Sequence, residues 1–294
     1  MLQSSKPEKN MNDKSTFDKK TVLVTGANSG IGFVTAKRLA ELGAKVVMAC
    51  RSQEKAELAM ALIKKNQPEA KLKFLRLDLA HFEQIRKAAE SLLETEPRLD
   101  MLINNAGLFG VRGVTQDGFE VHFGTNHLGP YLFTRLLVPL LKKSAPSRVI
   151  VVSSHGHYSA RSLNFESFVG YTRSRWSFPE YAASKLCNVL FAKALAKHLQ
   201  GSGITTYSLH PGIIASEIWR NFPQPLRWLV TRPMISNEAG AVTTLYCAAS
   251  PDLISETGLY YDKCKLRTPS KLARDPDLAE KLWQKSSEWT GLPI

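Results

Sequence analysis

Three glycines, Gly26, Gly30 and Gly32, separate the apolar run Val22-Leu23-Val24-Thr25 from a helix-patterned stretch that runs from about Ile31 to Leu42. Glycine reaches left-handed backbone conformations without a Cβ penalty, so this spacing permits a tight strand-to-helix turn and close backbone approach to a ligand above it. The N-terminus of the helix adds unpaired N–H groups and the positive end of the helix dipole, which suit a phosphate. Gly43 ends that helix, and Lys45–Cys50 follows as a second apolar strand. A glycine turn alone is compatible with a purely structural role. With a strand before it, and a helix and a second strand after it, it points to dinucleotide binding.

The same rhythm continues along the chain. The pattern predicts a helix over about 53–66, a strand over 72–77, a helix over about 82–94 and a strand over 100–104. A long helix over roughly 119–142, a strand over 148–153, a helix over about 179–199 and a strand over 204–210 follow, with 259–261 as a candidate seventh strand. Continuous apolar strands alternating with helices imply a parallel sheet covered on both faces. Two long segments interrupt the rhythm, 155–178 and 211–235, and each directly follows a strand. Ligands bind at the carboxyl ends of strands in such sheets, so both segments are candidates for substrate loops.

Composition narrows the class. The net charge is +13, yet lysines and arginines are spread along the 294 residues without a dense basic run. A solvated basic surface explains that better than a nucleic-acid site. The four cysteines, Cys50, Cys187, Cys247 and Cys264, show no paired or metal-binding spacing, which suggests a reducing compartment and a cytoplasmic location. Residues 1–18 are polar and lysine-rich and are expected to form a flexible leader before a single domain over 19–294. No signal peptide or membrane anchor is read in them.

Two further features carry chemistry. The second strand ends Met48-Ala49-Cys50-Arg51-Ser52, with an arginine where an NAD-binding chain would place a carboxylate. Arg51 can pair a phosphate with two hydrogen bonds, so NADP is favoured over NAD. Downstream, Tyr181 and Lys185 are four residues apart on a predicted helix and therefore share a face. A free phenol has a pKa of roughly 10. A fixed cation beside it pulls that value toward the working range of an acid–base catalyst. His155 and His157 form an H-x-H with no evident third ligand, so no metal site is expected. Asp117, Glu120 and Glu217 read as surface acids, and His127 and His210 as structural residues.

Together these stretches resemble the short-chain dehydrogenase/reductase family from about Lys20 to Leu266. The matching motifs are TGANSGIG at 25–32, Asp78 in LDLA, NNAG at 104–107, Asn126 in TNHLG, SSHG at 153–156, YAASK at 181–185 and HPG at 210–212. The stretches MACRS at 48–52, DGFE at 117–120, TNHLGPYLFT at 125–134, SKLCNVLF at 184–191 and GLYYDKCK at 258–265 are similar to the retinol dehydrogenase branch. That branch includes membrane-bound retinal reductases and the oxidoreductase domain of WW-domain oxidoreductases. The resemblance implies Tyr181 as the acid–base residue and Lys185 as the group that tunes it and holds the nicotinamide ribose. It implies Ser154 as a donor to the substrate oxygen, with Ser153 as a rival, and Asn126 as organiser of Lys185 and a proton-relay water. Cofactor contacts are implied for Gly26, Asn28, Ser29, Gly30, Ile31, Gly32, Arg51, Ser52, Asp78, Leu79, Asn105, Ala106 and Gly107. Tyr181, Lys185, Pro211, Gly212, Ile213 and Ser216 complete that set.

The expectation is a single-domain α/β protein, a Rossmann-type doubly wound parallel sheet of about seven strands. Its expected activity is NADP(H)-dependent hydride transfer with an apolar carbonyl or alcohol, retinoid-like, steroid or lipid-derived. The segment 211–235 carries Ile213, Ile214, Ile218, Trp219, Phe222, Leu226, Trp228 and Leu229, and 157–178 adds further aromatics. Clefts for lipophilic ligands are lined this way, which makes Trp219 and Trp228 candidate substrate contacts. A lid packed on its own core or on a partner would carry the same residues. Arg220, Arg227 and Arg232 among them suggest peripheral contact with anionic lipid. The resemblance also implies pairing of two copies through the helices near 119–142 and 179–199. A dinucleotide-sensing scaffold on the same fold is the alternative, and the complete Asn126, Ser154, Tyr181 and Lys185 set counts against it.

Overall fold

The computed structural model describes residues 17–212 and 236–294. Eight strands form one sheet: β1 (Thr21–Thr25), β2 (Lys45–Cys50), β3 (Leu72–Arg76), β4 (Met101–Asn104), β5 (Ser147–Val152), β6 (Ile204–His210), β7 (Leu259–Asp262) and β8 (Lys265–Leu266). Their order is β3-β2-β1-β4-β5-β6-β7-β8. The first seven strands run parallel, and β8 pairs antiparallel with β7 at the edge. The eighth strand is a two-residue hairpin arm, too short to leave a period-2 pattern in the sequence.

Alternate residues of each strand feed opposite cores. Leu23, Val47, Leu102 and Val149 face one helical layer, while Val22, Val24, Val46, Met48, Ile103 and Ile150 face the other. This two-sided burial is why the strands read as unbroken apolar runs. One layer contains α1 (Gly30–Glu41) and α2 (Gln53–Asn66). The other contains α3 (Phe82–Thr95), α4 (Gly129–Lys143) and α5 (Phe178–His198). Two helices extend the pattern predicted from sequence. α6 (Asn237–Ala249) packs beside α1, and α7 (Pro276–Thr290) packs along α5. Trp283 of α7 is buried edge-on to Tyr131 and near-parallel to Phe191, which closes the outer side of that layer.

The long helix predicted over 119–142 is not uniform. A short helical turn, Val121–Phe123, opens into a π-helix at Gly124–Leu128 before α4 begins. At the other end of the domain boundary, Phe17 lies in the core and its N–H donates to Leu42 O at 3.0 Å. The fold therefore takes in Phe17, a residue that the leader was expected to contain. Among the described residues no helix is long and apolar enough to cross a membrane.

Candidate active site

The strand order reverses between β1 and β4, because β2 and β3 are laid down to one side of them and β5 to β7 to the other. A crevice opens there at the carboxyl ends of the strands. Gly26 and Gly30 adopt φ of 66° and 56°, and the Gly26 N–H donates to Ala49 O at 2.8 Å. A Cβ on Gly32 would collide with the Gly26 carbonyl and the Asn105 amide. The turn is thus closed by contacts that only glycine allows. Thr25 ties it to β4: its hydroxyl accepts the N–H groups of Asn105 and Ala106 at 3.0 and 2.9 Å, and Asn105 Nδ2 donates to Thr25 O at 2.9 Å.

One cleft brings much of the predicted set together. It is lined by the glycine turn, with Asn28, Ser29 and Ile31, then Arg51 and Ser52, then Asn105 to Gly107, and finally Tyr181, Lys185 and Pro211. The residues fit a bound dinucleotide. Ser29 caps α1 without a side-chain hydrogen bond, and its first turn holds no acid, so the helix N-terminus is open to an anion. Arg51, exposed, stands in the wall with Lys55, a second cation that the sequence reading did not single out. Lys55 lies one turn into α2, where Ser52 accepts its backbone N–H at 3.3 Å. The same wall adds Leu108, Phe109, Val111, Val152 and Ser153.

At the far end of the cleft, Lys185 is buried and its Nζ donates to Val152 O at 3.1 Å. Its ammonium lies 5.9 Å from the centre of the Tyr181 ring. Burial lowers the Lys185 pKa to about 8. The Tyr181 phenol was expected to be pulled down by this cation, yet here burial dominates and raises it, with the hydrogen bond from Ser154 opposing. The two serines separate clearly. Ser153 Oγ donates to Lys185 O at 2.6 Å, whereas Ser154 meets the Tyr181 phenol and accepts the Gly156 N–H at 3.1 Å.

Asn126 sits in the π-helical turn. Its Oδ1 accepts the Leu108 N–H at 2.8 Å, and its Nδ2 donates to Leu108 O at 3.1 Å and to Ser184 Oγ at 3.0 Å. Ser184 in turn donates to Tyr181 O at 2.7 Å. A Cβ on Gly107 would come within 3.2 Å of Lys185 Nζ and 3.4 Å of Asn126 Oδ1, so this glycine leaves room for both.

Several expected positions lie elsewhere. Asp78 Oδ1 accepts the Ala80 N–H at 3.0 Å, and neither Asp78 nor the buried Leu79 lines the cleft. Gly212, with φ of 99°, is next to Pro211 but outside the lining. Ile213, Ser216, Trp219 and Trp228 lie outside the described residues. His157 is buried and bonded at both nitrogens, Nδ1 to Ser154 O at 2.7 Å and Nε2 to Ser270 N at 3.2 Å. No cluster able to hold a metal occurs among the described residues. Glu120 departs from the surface reading: it is buried.

The short chain dehydrogenase family profile matches residues 20–226. Retinol dehydrogenase 11 of Mus musculus is 43% identical over 279 residues, covering 94% of this chain and 87% of the relative. Dehydrogenase/reductase SDR family member 13 of Bos taurus is also 43% identical, over 93% of this chain and 74% of the relative. A crystal structure of an uncharacterized protein from Mycobacterium Paratuberculosis superposes with a TM-score of 0.75 at 33% identity, covering 95% of this chain and 96% of the other. A short chain dehydrogenase from Shigella flexneri, solved with NADP, shares the fold at 24% identity and a TM-score of 0.66, over 85% and 99% of the two chains. The chain belongs to the short-chain dehydrogenase/reductase family, on its retinol dehydrogenase-like side, and is an oxidoreductase of alcohol and carbonyl groups.

Proposed function

We propose that the chain uses NADP(H) to interconvert an apolar carbonyl compound and its alcohol, as a cytoplasmic enzyme with its cysteines reduced. The observation that carries this reading is the single cleft with an open helix N-terminus and two cations at one end and Tyr181 with Lys185 at the other. The α1 N-terminus and the glycine turn would hold the pyrophosphate, and Arg51 with Lys55 the ribose 2′-phosphate. The bound cofactor supplies or accepts the hydride. Tyr181 donates its proton to the substrate oxygen during reduction and takes it back during oxidation, while Ser154 donates a hydrogen bond to the same oxygen. Lys185, held by Val152 O, keeps a positive charge beside that oxygen as it becomes an alkoxide.

An apolar substrate is supported by the side chains around the phenol. Phe109 lines the cleft and packs 4.7 Å from the Tyr181 ring, and Phe178 meets Phe109 edge-on at 6.3 Å. Each buried methylene is worth roughly 0.8 kcal/mol, so kcat/KM should climb along a series of straight-chain aldehydes until the cleft is filled. A flat profile would remove the apolar-substrate reading. Cofactor choice is tested separately. Arg51→Ala should weaken NADPH by about 1.5–3 kcal/mol and leave NADH nearly unchanged. Equal losses in titrations of both cofactors would take Arg51 out of the phosphate site.

A further inference from the structure

Behind Tyr181, outside the cleft lining, stand an acid and an imidazole that the chemistry above does not use. Glu120 and His122 are 1% and 0% exposed. Burying such groups is unfavourable unless their hydrogen bonds are met. Glu120 meets all of them. Its Oε2 accepts the backbone N–H groups of His122 and Phe123 at 2.9 and 3.0 Å, and its Oε1 accepts the Thr172 hydroxyl at 2.6 Å. His122 Nδ1 lies 2.9 Å from the same Oε1. Burial would push the carboxyl pKa up, but the bonds from His122 and Thr172 together outweigh it and hold it below its usual value.

An ionised carboxylate only accepts hydrogen bonds, so the proton of this contact belongs to His122 Nδ1. The other ring nitrogen, Nε2, is buried and has no partner among the described residues. A phenyl ring would fill the same volume without that polar atom. The imidazole, by contrast, has a donor that fixes its rotation. Its ring stands edge-on to Tyr181, with planes at 80° and centroids 6.3 Å apart. Thr172 belongs to the insertion over 155–178. Its hydroxyl accepts the Gly113 N–H at 3.0 Å, and its carbonyl accepts Arg112 Nη2 at 3.2 Å.

We propose that Glu120 and His122 form a positioning pair for Tyr181, and that Thr172 couples the pair to the insertion over 155–178, so that the packing of the insertion sets the orientation of the phenol. The proposal rests on Tyr181 as the acid–base group. The Thr172–Glu120–His122 chain then spans from the insertion to the tyrosine ring without touching substrate itself.

Three variants test it by splitting kcat from KM. His122→Phe keeps the ring and loses its anchor. It should lower kcat about 10²-fold, the order expected when a reacting group is misplaced, with NADPH affinity and aldehyde KM nearly unchanged. Thr172→Val removes the hydroxyl and should lower kcat about tenfold, and Thr172→Ser should restore it. Wild-type kcat in both His122→Phe and Thr172→Val, with only a lower Tm, would overturn the proposal. If His122→Phe does not fold, a Thr172→Ser that is no faster than Thr172→Val does so alone. Tyr181→Phe assayed alongside keeps the two ideas apart. Turnover in that variant would sink the acid–base reading, whereas an inactive Tyr181→Phe beside fully active His122 and Thr172 variants would sink the coupling only.

Discussion

The two edges of the sheet treat buried charge in opposite ways. At the amino-end edge, Asp100 is 3% exposed, accepts the Thr21 N–H at 2.8 Å and pairs with Arg98 and Lys20. Glu96, equally buried, takes Lys45 at 2.7 Å and Lys73 at 2.8 Å. At the carboxyl-end edge Lys185 is as deeply buried, but its bond is to a neutral carbonyl and no acid pairs with it among the described residues. Charges satisfied from within the chain hold strands together. A buried cation without a counter-ion is held at a cost in stability, which is the arrangement expected where negative charge arrives or develops during the reaction.

Variants at the two edges should therefore fail in opposite ways. The largest effect falls on Tyr181→Phe. Rates fall about 10²–10⁴-fold when one general acid is deleted, while NADPH titration should still show binding. Near-normal turnover in that variant would break the contrast at its centre. Lys185→Met comes next, and its two consequences diverge. Turnover should collapse, yet the protein should become more stable at pH 7. The shift of the Lys185 pKa from 10.5 to about 8 corresponds to about 3 kcal/mol disfavouring the charged form in the folded state. The unfolded chain binds more protons between those values, so wild-type stability rises with pH from 8 to 10.5. The advantage of methionine should be full below pH 8 and gone by pH 10.5, as read by denaturant midpoints. Val152 O would keep Asn188 Nδ2 at 3.2 Å, so no carbonyl is orphaned by the change. The smallest effect sharpens the comparison from the other edge. Glu96→Gln should lower stability by about 1.5–3 kcal/mol and leave kcat unchanged. A loss of kcat there would mean that the amino-end edge is more than scaffold.

The sequence makes the local parts of this arrangement visible. The glycine turn, Arg51 and the Tyr181–Lys185 pair each depend on spacing within a few residues, and all of them line one cleft. What escapes is set by distant partners. Glu120 reads as a surface acid because nothing near it in sequence shows that Thr172 will bond it. Lys55 is one polar residue in a polar helix until the fold brings it beside the glycine turn. Phe109 sits in an apolar stretch that periodicity does not assign, and only the close approach of α5 turns it toward the phenol. The Tyr181 phenol follows the same rule: a neighbouring lysine is legible four residues away, whereas the burial that raises the phenol's pKa against the Ser154 hydrogen bond is not. The apolar stretch over 213–235, including Trp219 and Trp228, falls outside the described residues.

The π-helix at Gly124–Leu128 ties the site to a residue count. A π turn closes on i→i+5 bonds, so it takes up a residue that an α-helix between the same ends would not need. Deleting one residue there would leave a more regular helix, which propensity alone would favour. The helix on either side would keep its register, so the change would fall on the bulge itself, which carries Asn126. The Asn126 amide would leave Leu108 and Ser184, whereas Tyr131, in the α-helix beyond, would keep Trp283 and Ser287. Length, and not only residue identity, is therefore under constraint between Glu120 and Gly129. Related sequences should align across this stretch without a gap.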